Sequence, residues 1–272
     1  MTSRDSGFDK VFRRLHEEGL LLLANAWDGG TARLIESLGA KALATTSAGV
    51  AWSHGYPDGD LLPVRLLLAT VADIARAIRV PLTVDVEGGY SSDPATVGET
   101  VAAVIEAGAV GINIEDGSGT PDLLCAKIER ARQAGDRLGV DLFVNARTDV
   151  YLRGLAAKEF RVEETLARAE RYRAAGAGGI FVPGLVDAAE IRAIAEASRL
   201  PLNVMALPGL PPAAELEALG VRRLSAGARI AEVVFAKTAS LAGAFLRTGE
   251  SRAATKGAMP YPEINALMAA RS

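Results

Sequence analysis

Short apolar runs recur along the chain, and each closes on polar or acidic residues. Four of them share one plan, in which a helix ends at glycine, a small residue follows and a strand begins. These are SLGAKALATTS from Ser37, EAGAVGINIED from Glu106, AAGAGGIFVPG from Ala174 and ALGVRRLSAG from Ala218. Their glycines, Gly39, Gly108, Gly176 and Gly220, suit the left-handed residue that ends a helix. Runs of a second kind fall between them: GLLLLAN from Gly19, VPLTVDV from Val80, GVDLFVNAR from Gly139 and LPLNVMA from Leu200. Together the two kinds predict eight strands.

The intervening segments read as helices. From Val64 to Arg79, the residues Val64, Leu67, Leu68, Val71, Ile74, Ala75 and Ile78 recur at steps of three and four, which is an amphipathic stripe facing a sheet. A second helix is predicted from Asp122 to Leu138. Strands apolar on both faces that alternate with such helices predict a parallel sheet, and eight repeats predict closure into a (β/α)8 barrel, a TIM barrel in the α/β class. An open doubly wound sheet is the rival, but NAWDGGTARL after the first strand carries no GxGxxG. After Arg247 a polar linker leads to a short helix from about Tyr261, placed to cross the barrel end or to meet a partner subunit. The expected organisation is one barrel domain over residues 1–272, with about 248–272 as a carboxyl-terminal linker and helix.

Catalytic groups of such a barrel lie at the carboxyl ends of its strands, so those residues are read together as one site. They are Asn25, Trp27 and Asp28; Thr45, Thr46 and Ser47; Asp85 and Glu87; Glu115 and Asp116; Asn145, Arg147 and Asp149; then Pro183, Asn203 and Ser225. A strand apolar on both faces does not keep carboxylates at its tip without compensation. Asp85, Glu87 and Glu115, with Asp58, therefore ask for a divalent cation. An all-oxygen set without His or Cys points to Mg²⁺, with Mn²⁺ as the alternative, held directly by one carboxylate while others hold its waters. The competing reading is that Asp85 and Glu87 cap a helix or pair with surface arginines. Arg147 is the cation at this acidic mouth, and its planar fork suits a carboxylate or a developing enolate oxygen. A bridge from it to Glu115 or Asp149 would orient it. The small segment TTSAGV, Thr45 to Val50, is either a plain turn or a nest of amides for an anion. Trp27, Trp52 and Tyr90 near strand ends suit packing or recognition. Neither histidine, His16 or His54, finds an acid at a revealing spacing, and no Ser/His/Asp or Cys/His set assembles.

Composition narrows the partners. With 272 residues, 49% hydrophobic and 23% charged, one large core is within reach. A formal charge of −3 offers no basic field for a phosphate backbone, which argues against nucleic acid. The lone Cys125 allows no internal disulfide and fits a reducing compartment. MTSRDSGFDKVFRRL lacks the apolar core of a signal peptide, and no segment reaches the roughly 18 apolar residues of a membrane span. A cytoplasmic protein with no membrane partner is expected.

At TTSAGVAWSHGYPDGD, VDVEGGYSSDP, GINIEDG, VNARTDVYL and PLNVMALPGLPPAAELEALGVRRLSAG the chain resembles the isocitrate lyase and phosphoenolpyruvate mutase superfamily over almost its whole length. The resemblance implies a (β/α)8 barrel that acts on 2-oxo acids or their enol relatives over Mg²⁺. It implies that Thr46, Ser47 and Ala48 grip the substrate carboxylate through backbone amides and that Asp85 ligates the metal. Asp58, Glu87 and Glu115 would hold the metal's waters, Arg147 would contact the substrate oxygens, and Asn203 would add a polar contact. It also implies a homodimer that exchanges a carboxyl-terminal helix, or a homotetramer built from such dimers. Two departures matter. Lyase members carry KKCGH or KRCGH after the IED motif, with the Cys as general acid, whereas this chain reads IEDGSGTPDLLCAKIERAR. Cys125 falls inside the helix predicted from Asp122 and reads as a packed thiol. The EDKxxPKxNS loop of mutase and phosphonopyruvate hydrolase members is missing too, so the gating lid is cut to about six residues. The reading favoured is an enzyme that makes or breaks a bond to C3 of a small 2-oxo carboxylate through an enolate, as a C–C lyase or decarboxylase. Two alternatives stand beside it: a 2-oxo acid binding protein with little turnover, and a phosphonomutase-like or phosphonopyruvate hydrolase-like enzyme.

Overall fold

In a computed structural model of the chain, which describes residues 7–251 and 255–269, the apolar runs form parallel strands of one sheet. The strands are β1 (Leu21–Leu23), β2 (Asn25–Ala26), β3 (Leu43–Thr45), β4 (Leu82–Asp85) and β5 (Gly111–Glu115), followed by β6 (Phe143–Arg147), β7 (Gly179–Phe181), β8 (Leu202–Met205) and β9 (Val221–Ser225). Eight strands were expected and nine segments form, because the first run breaks at Ala24. One fragment of it, β1, pairs with β9, and the other, β2, pairs with β3, so the two halves of one run join the sheet's ends and the nine segments make an eight-fold, nearly closed barrel.

Eleven α-helices lie among the described residues. They are α1 (Phe8–Arg14), α2 (Gly29–Ser37), α3 (Ser47–Ser53), α4 (Val64–Ala77), α5 (Pro94–Glu106) and α6 (Pro121–Leu138), then α7 (Arg161–Ala174), α8 (Ala188–Ala197), α9 (Ala213–Ala218), α10 (Arg229–Thr248) and α11 (Tyr261–Ala269). The stripe expected from Val64 to Arg79 is α4, which stops at Ala77. Helix α6 starts a residue earlier than expected, at Pro121, because the Thr120 side chain accepts the Leu123 amide and Pro121 costs a first-turn position no hydrogen bond. All four repeat glycines take the left-handed conformation. Gly108 also needs the space, since a Cβ there would lie 2.5 Å from that of Ala75.

Apolar side chains of strands and helices form the wall of the barrel, and polar side chains fill a layer of its interior. Asn145 donates to Asn113 Oδ1 at 2.9 Å and to Asn203 Oδ1 at 3.0 Å, and Arg223 donates through Nη2 to Asn113 Oδ1 at 3.1 Å. Below that layer α1 and the turn after it bring Phe12 and His16 onto Phe143, with His16 stacked at 4.0 Å and Phe12 edge-on at 5.5 Å. Gly111 makes room for this plug: a Cβ there would stand 2.8 Å from Phe12. The terminal helix α11 lies along α2 of the same chain, where Arg33 donates to the Leu267 carbonyl. No described helix is long and apolar enough to cross a membrane.

Candidate active site

Strand register assembles the mouth. Glu115 and Arg147 are register partners on β5 and β6, so their side chains emerge side by side, and Arg147 Nη1 meets Glu115 Oε2 at 2.6 Å. Two residues on, where the chain is still extended, Asp149 returns to the same face. Its fully buried carboxylate takes Arg147 Nε at 2.7 Å and Nη2 at 3.1 Å. The arginine is thus clamped from both sides, to Glu115 and to Asp149 together. Burial works against its charge, yet the two carboxylates outweigh burial and push its pKa up.

Asp85 ends β4. Burial pushes its carboxyl above the usual range and Asp58 adds to the rise, while Arg147, the Glu87 amide and the Ser47 hydroxyl oppose it. The Asp85 amide donates to Thr45 Oγ1 at 2.9 Å, tying β4 to the end of β3. Glu115 is pushed up to about 8, first by burial and then by Asp85 and Asp149, against the pull of Arg147. Glu87 is raised by burial as well. Its carboxylate accepts three hydrogen bonds: Oε2 takes the amides of Gly59, at 2.7 Å, and Asp60, and Oε1 takes the Tyr90 hydroxyl at 2.9 Å. Asp58 stands exposed on the same loop as Gly59. Among the described residues four non-glycine residues have positive φ, and three of them, Asp60, Glu87 and Tyr90, are here. Such strain costs about 1–3 kcal/mol per residue and gathers at functional sites.

Thr46 is extended, with φ −117° and ψ 121°, and α3 starts immediately after it, so the amides of Ser47, Ala48 and Gly49 have no helical acceptor. Trp27 packs beneath this turn, and a Cβ on Gly49 would meet Trp27 at 3.0 Å and Thr46 at 2.7 Å.

Asn203 does not reach the mouth. Expected as a substrate contact, it sits 1% exposed in the interior layer, bonded to Asn145 and, at 3.1 Å, to Ser225. Asp28 caps α2 through the Thr31 amide. Asp116 turns away from the opening, accepting the Asp149 amide, Arg168 Nη1 at 2.8 Å and the Tyr172 hydroxyl at 2.7 Å. Cys125 lies on α6, half-buried, with its thiol pushed up by burial.

Sequence reasoning missed several supports. Lys127 crosses from α6 to hold the Gly88 carbonyl at 2.6 Å, its pKa lowered by burial, and Asp60 accepts the Tyr90 amide at 3.0 Å. Arg223, buried within the barrel, has its pKa lowered to about 9 by burial, with Asp85 opposing the shift. Alternation along β9 could have found it, since VRRLS sets one arginine inward.

Among the described residues no three His, Cys, Asp or Glu side chains converge as a ready ligand set. The donors nevertheless suit Mg²⁺. Asp85 accepts the Glu87 amide at 3.2 Å and forms no ion pair among the described residues, and Mg²⁺ keeps several waters for neighbours such as Glu115 to hold. Burial raises the pKa of Asp85, Glu87 and Glu115 together, and a dication beside them would offset that loss of solvation.

Comparison with known proteins agrees with this architecture. The family model described as phosphoenolpyruvate phosphomutase matches residues 12–246. A solved structure from Burkholderia cenocepacia with the provisional description of phosphonomutase is 45% identical, with a TM-score of 0.83, covering 87% of this chain and 99% of that one. A second from that organism, provisionally a lyase or mutase, is 36% identical with a TM-score of 0.89, over 100% of this chain and 99% of the other. The oxaloacetate decarboxylase of Paraburkholderia xenovorans is 33% identical over 229 residues, 78% of this chain and 73% of that protein.

Proposed function

This chain belongs to the phosphoenolpyruvate mutase and isocitrate lyase superfamily, and from that premise we propose a Mg²⁺-dependent enzyme that makes or breaks a bond to C3 of a small 2-oxo carboxylate through an enolate. The observation that carries the reading is the Asp85 carboxylate, which forms no ion pair among the described residues and is raised by burial, beside open amides on one side and a clamped arginine on the other. Asp85 would hold the metal, with Mn²⁺ as a substitute, and Glu115, Glu87 and Asp58 would hold its waters. The bound cation would supply Lewis acidity at the 2-oxo group. The amides of Ser47 and Ala48, beside Thr46, bind the substrate carboxylate, and Trp27 walls that pocket. Arg147, fixed by Asp149 before substrate arrives, stabilises the oxygen on which charge develops, so no reorganisation is needed at the moment of reaction. Decarboxylation or retro-aldol cleavage asks for little more. The similarity to an oxaloacetate decarboxylase supports this class of chemistry over hydrolysis, for which the mouth supplies no placed nucleophile.

A second reading has its own support. Only Gly117 to Thr120 separate the Asp116 corner from α6, too few to fold over the opening, which favours a 2-oxo acid binding protein with little turnover. Phosphonomutase chemistry is a third, after the 45% identical neighbour. Pyruvate release from a panel of C4 to C6 oxo acids distinguishes enzyme from binder, and phosphorus NMR on phosphonopyruvate tests the mutase. The metal assignment is tested by calorimetry of pyruvate with and without Mg²⁺. Asp85→Ala should abolish the Mg²⁺-linked part of binding, and an unchanged Mg²⁺ dependence would sink the assignment.

A homodimer, or a homotetramer of such dimers, is proposed for the assembly, in one domain acting in the cytoplasm. Val233, Phe235, Phe245 and Leu246 on α10 and Tyr261 on α11 are exposed, large apolar side chains of the kind a partner subunit covers. Exchange of α11 for its copy would preserve its contact with α2.

A further inference from the structure

Four cations surround the β5 and β6 ends, and three are committed. Arg147 is clamped between Glu115 and Asp149, Arg168 between Asp116 and Glu164, and Lys127 is buried against the Gly88 carbonyl. The fourth, Arg153, comes from the segment after β6 and is 48% exposed. Its Nε donates to Asp149 Oδ2 at 2.7 Å, the same oxygen that takes Arg147 Nη2, so two guanidinium groups fan out from one buried carboxylate. Its Nη1 reaches Ser118 Oγ at 3.3 Å, on the short loop between β5 and α6. Arg153 therefore spans the gap where that loop fails to cover the mouth, and its Nη2 has no protein partner among the described residues. It is close enough to Glu115 to oppose the rise in that carboxyl's pKa.

We propose that Arg153 determines substrate specificity by binding the distal carboxylate of the substrate, and that the substrate is a 2-oxo diacid rather than a monoacid. The inference rests on the 2-oxo acid reading above. With the near carboxylate at the α3 amides and the 2-oxo group between Asp85 and Arg147, the carbon chain leads away from α3, toward β5 and β6. The group met there is Arg153, anchored at Nε and Nη1 and open at Nη2, a donor pre-oriented for an anionic oxygen. Neither Pro183 nor Phe181, at the neighbouring end of β7, can pair with a carboxylate.

The test is calorimetric titration of the full chain with Mg²⁺, using acids matched except at the far end: 2-oxoglutarate against 2-oxopentanoate, with pyruvate reporting on the near pocket. Wild type should bind the diacid roughly tenfold more tightly than the matched monoacid, the scale of one charge-assisted hydrogen bond. Arg153→Met should erase that preference while leaving pyruvate binding within about twofold, which also shows that the near pocket is still folded. Arg153→Lys should restore only part of it, because an ammonium lacks the fork. A wild type that binds pyruvate without preferring the diacid, or an Arg153→Met variant that keeps the preference, overturns the inference alone. Failure of wild type to bind any of these acids overturns the 2-oxo acid reading, and the inference with it.

Discussion

Asp149 is the point at which stability and site geometry meet, and Asp149→Asn measures how much rests on it. The carboxylate is fully buried and accepts two hydrogen bonds from Arg147 and one from Arg153. The amide that replaces it keeps one acceptor oxygen and turns an N–H₂ toward donors that need an acceptor. Breaking a buried pair by removing one partner's charge costs about 3–5 kcal/mol, because the remaining charge is stranded. The contact with half-exposed Arg153 adds at most about 1 kcal/mol, since solvent screens it. Urea unfolding followed by circular dichroism, at one fixed protein concentration, should therefore show a loss of roughly 3–5 kcal/mol, dominated by Arg147. The stranded charge also predicts coupling: removing Arg147 as well relieves it, so Arg147→Met with Asp149→Asn should fall short of the sum of the single losses by about 1.5 kcal/mol or more. A single loss under about 1 kcal/mol, or additive losses, would refute the claim that Asp149 clamps Arg147 as a buried pair.

Two other perturbations follow from groups away from the mouth. Tyr172→Phe removes the hydroxyl that donates to Asp116 at 2.7 Å and should cost roughly 1.5–3 kcal/mol in the same unfolding experiment, the scale for a bond to a charged group, while pyruvate binding stays as in wild type. His16 has its pKa lowered to about 3, by burial first and then by Arg223 and Arg13, while its bond to the Phe12 carbonyl opposes the shift. The folded chain keeps this ring neutral as pH falls, whereas the unfolded chain protonates it below about 6.5. Its contribution is therefore intact above pH 6.5 and lost as pH falls from there toward 3, by up to about 1.4 kcal/mol per pH unit. His16→Gln should flatten the stability profile over that window, and a slope equal to wild type would contradict the assignment.

The repeat of runs and glycines announced eight-fold closure because each element obeys local rules: apolar strands, amphipathic helices, a left-handed residue at each helix end. The break at Ala24 was not legible, since Ala24 continues the apolar run from Leu20 and only pairing on two different sides divides it. The gathering of Asp85, Glu115 and Arg147 was legible because each ends a strand and strand ends collect at one rim. The interior bonds of Asn203 were not legible, because a residue within a strand looks the same whether it faces the mouth or the layer beneath it. The roles of Glu87 as anchor for the 59–60 loop, and of Lys127 and Arg153, depend on contacts between segments distant in the chain, which no local pattern encodes.

The divided first strand has a consequence for how the chain is made. Leu21 bonds beside Arg223, so the first strand gains its second neighbour only when the ninth has been synthesised. Until then β2 can lie on β3 while β1 offers a bare edge, and the ring closes by the most non-local pairing the molecule contains. Closure is the step that high contact order slows, and an open edge is what aggregation exploits. The joint at Ala24 lets the early half of the sheet form before the late half arrives to finish it.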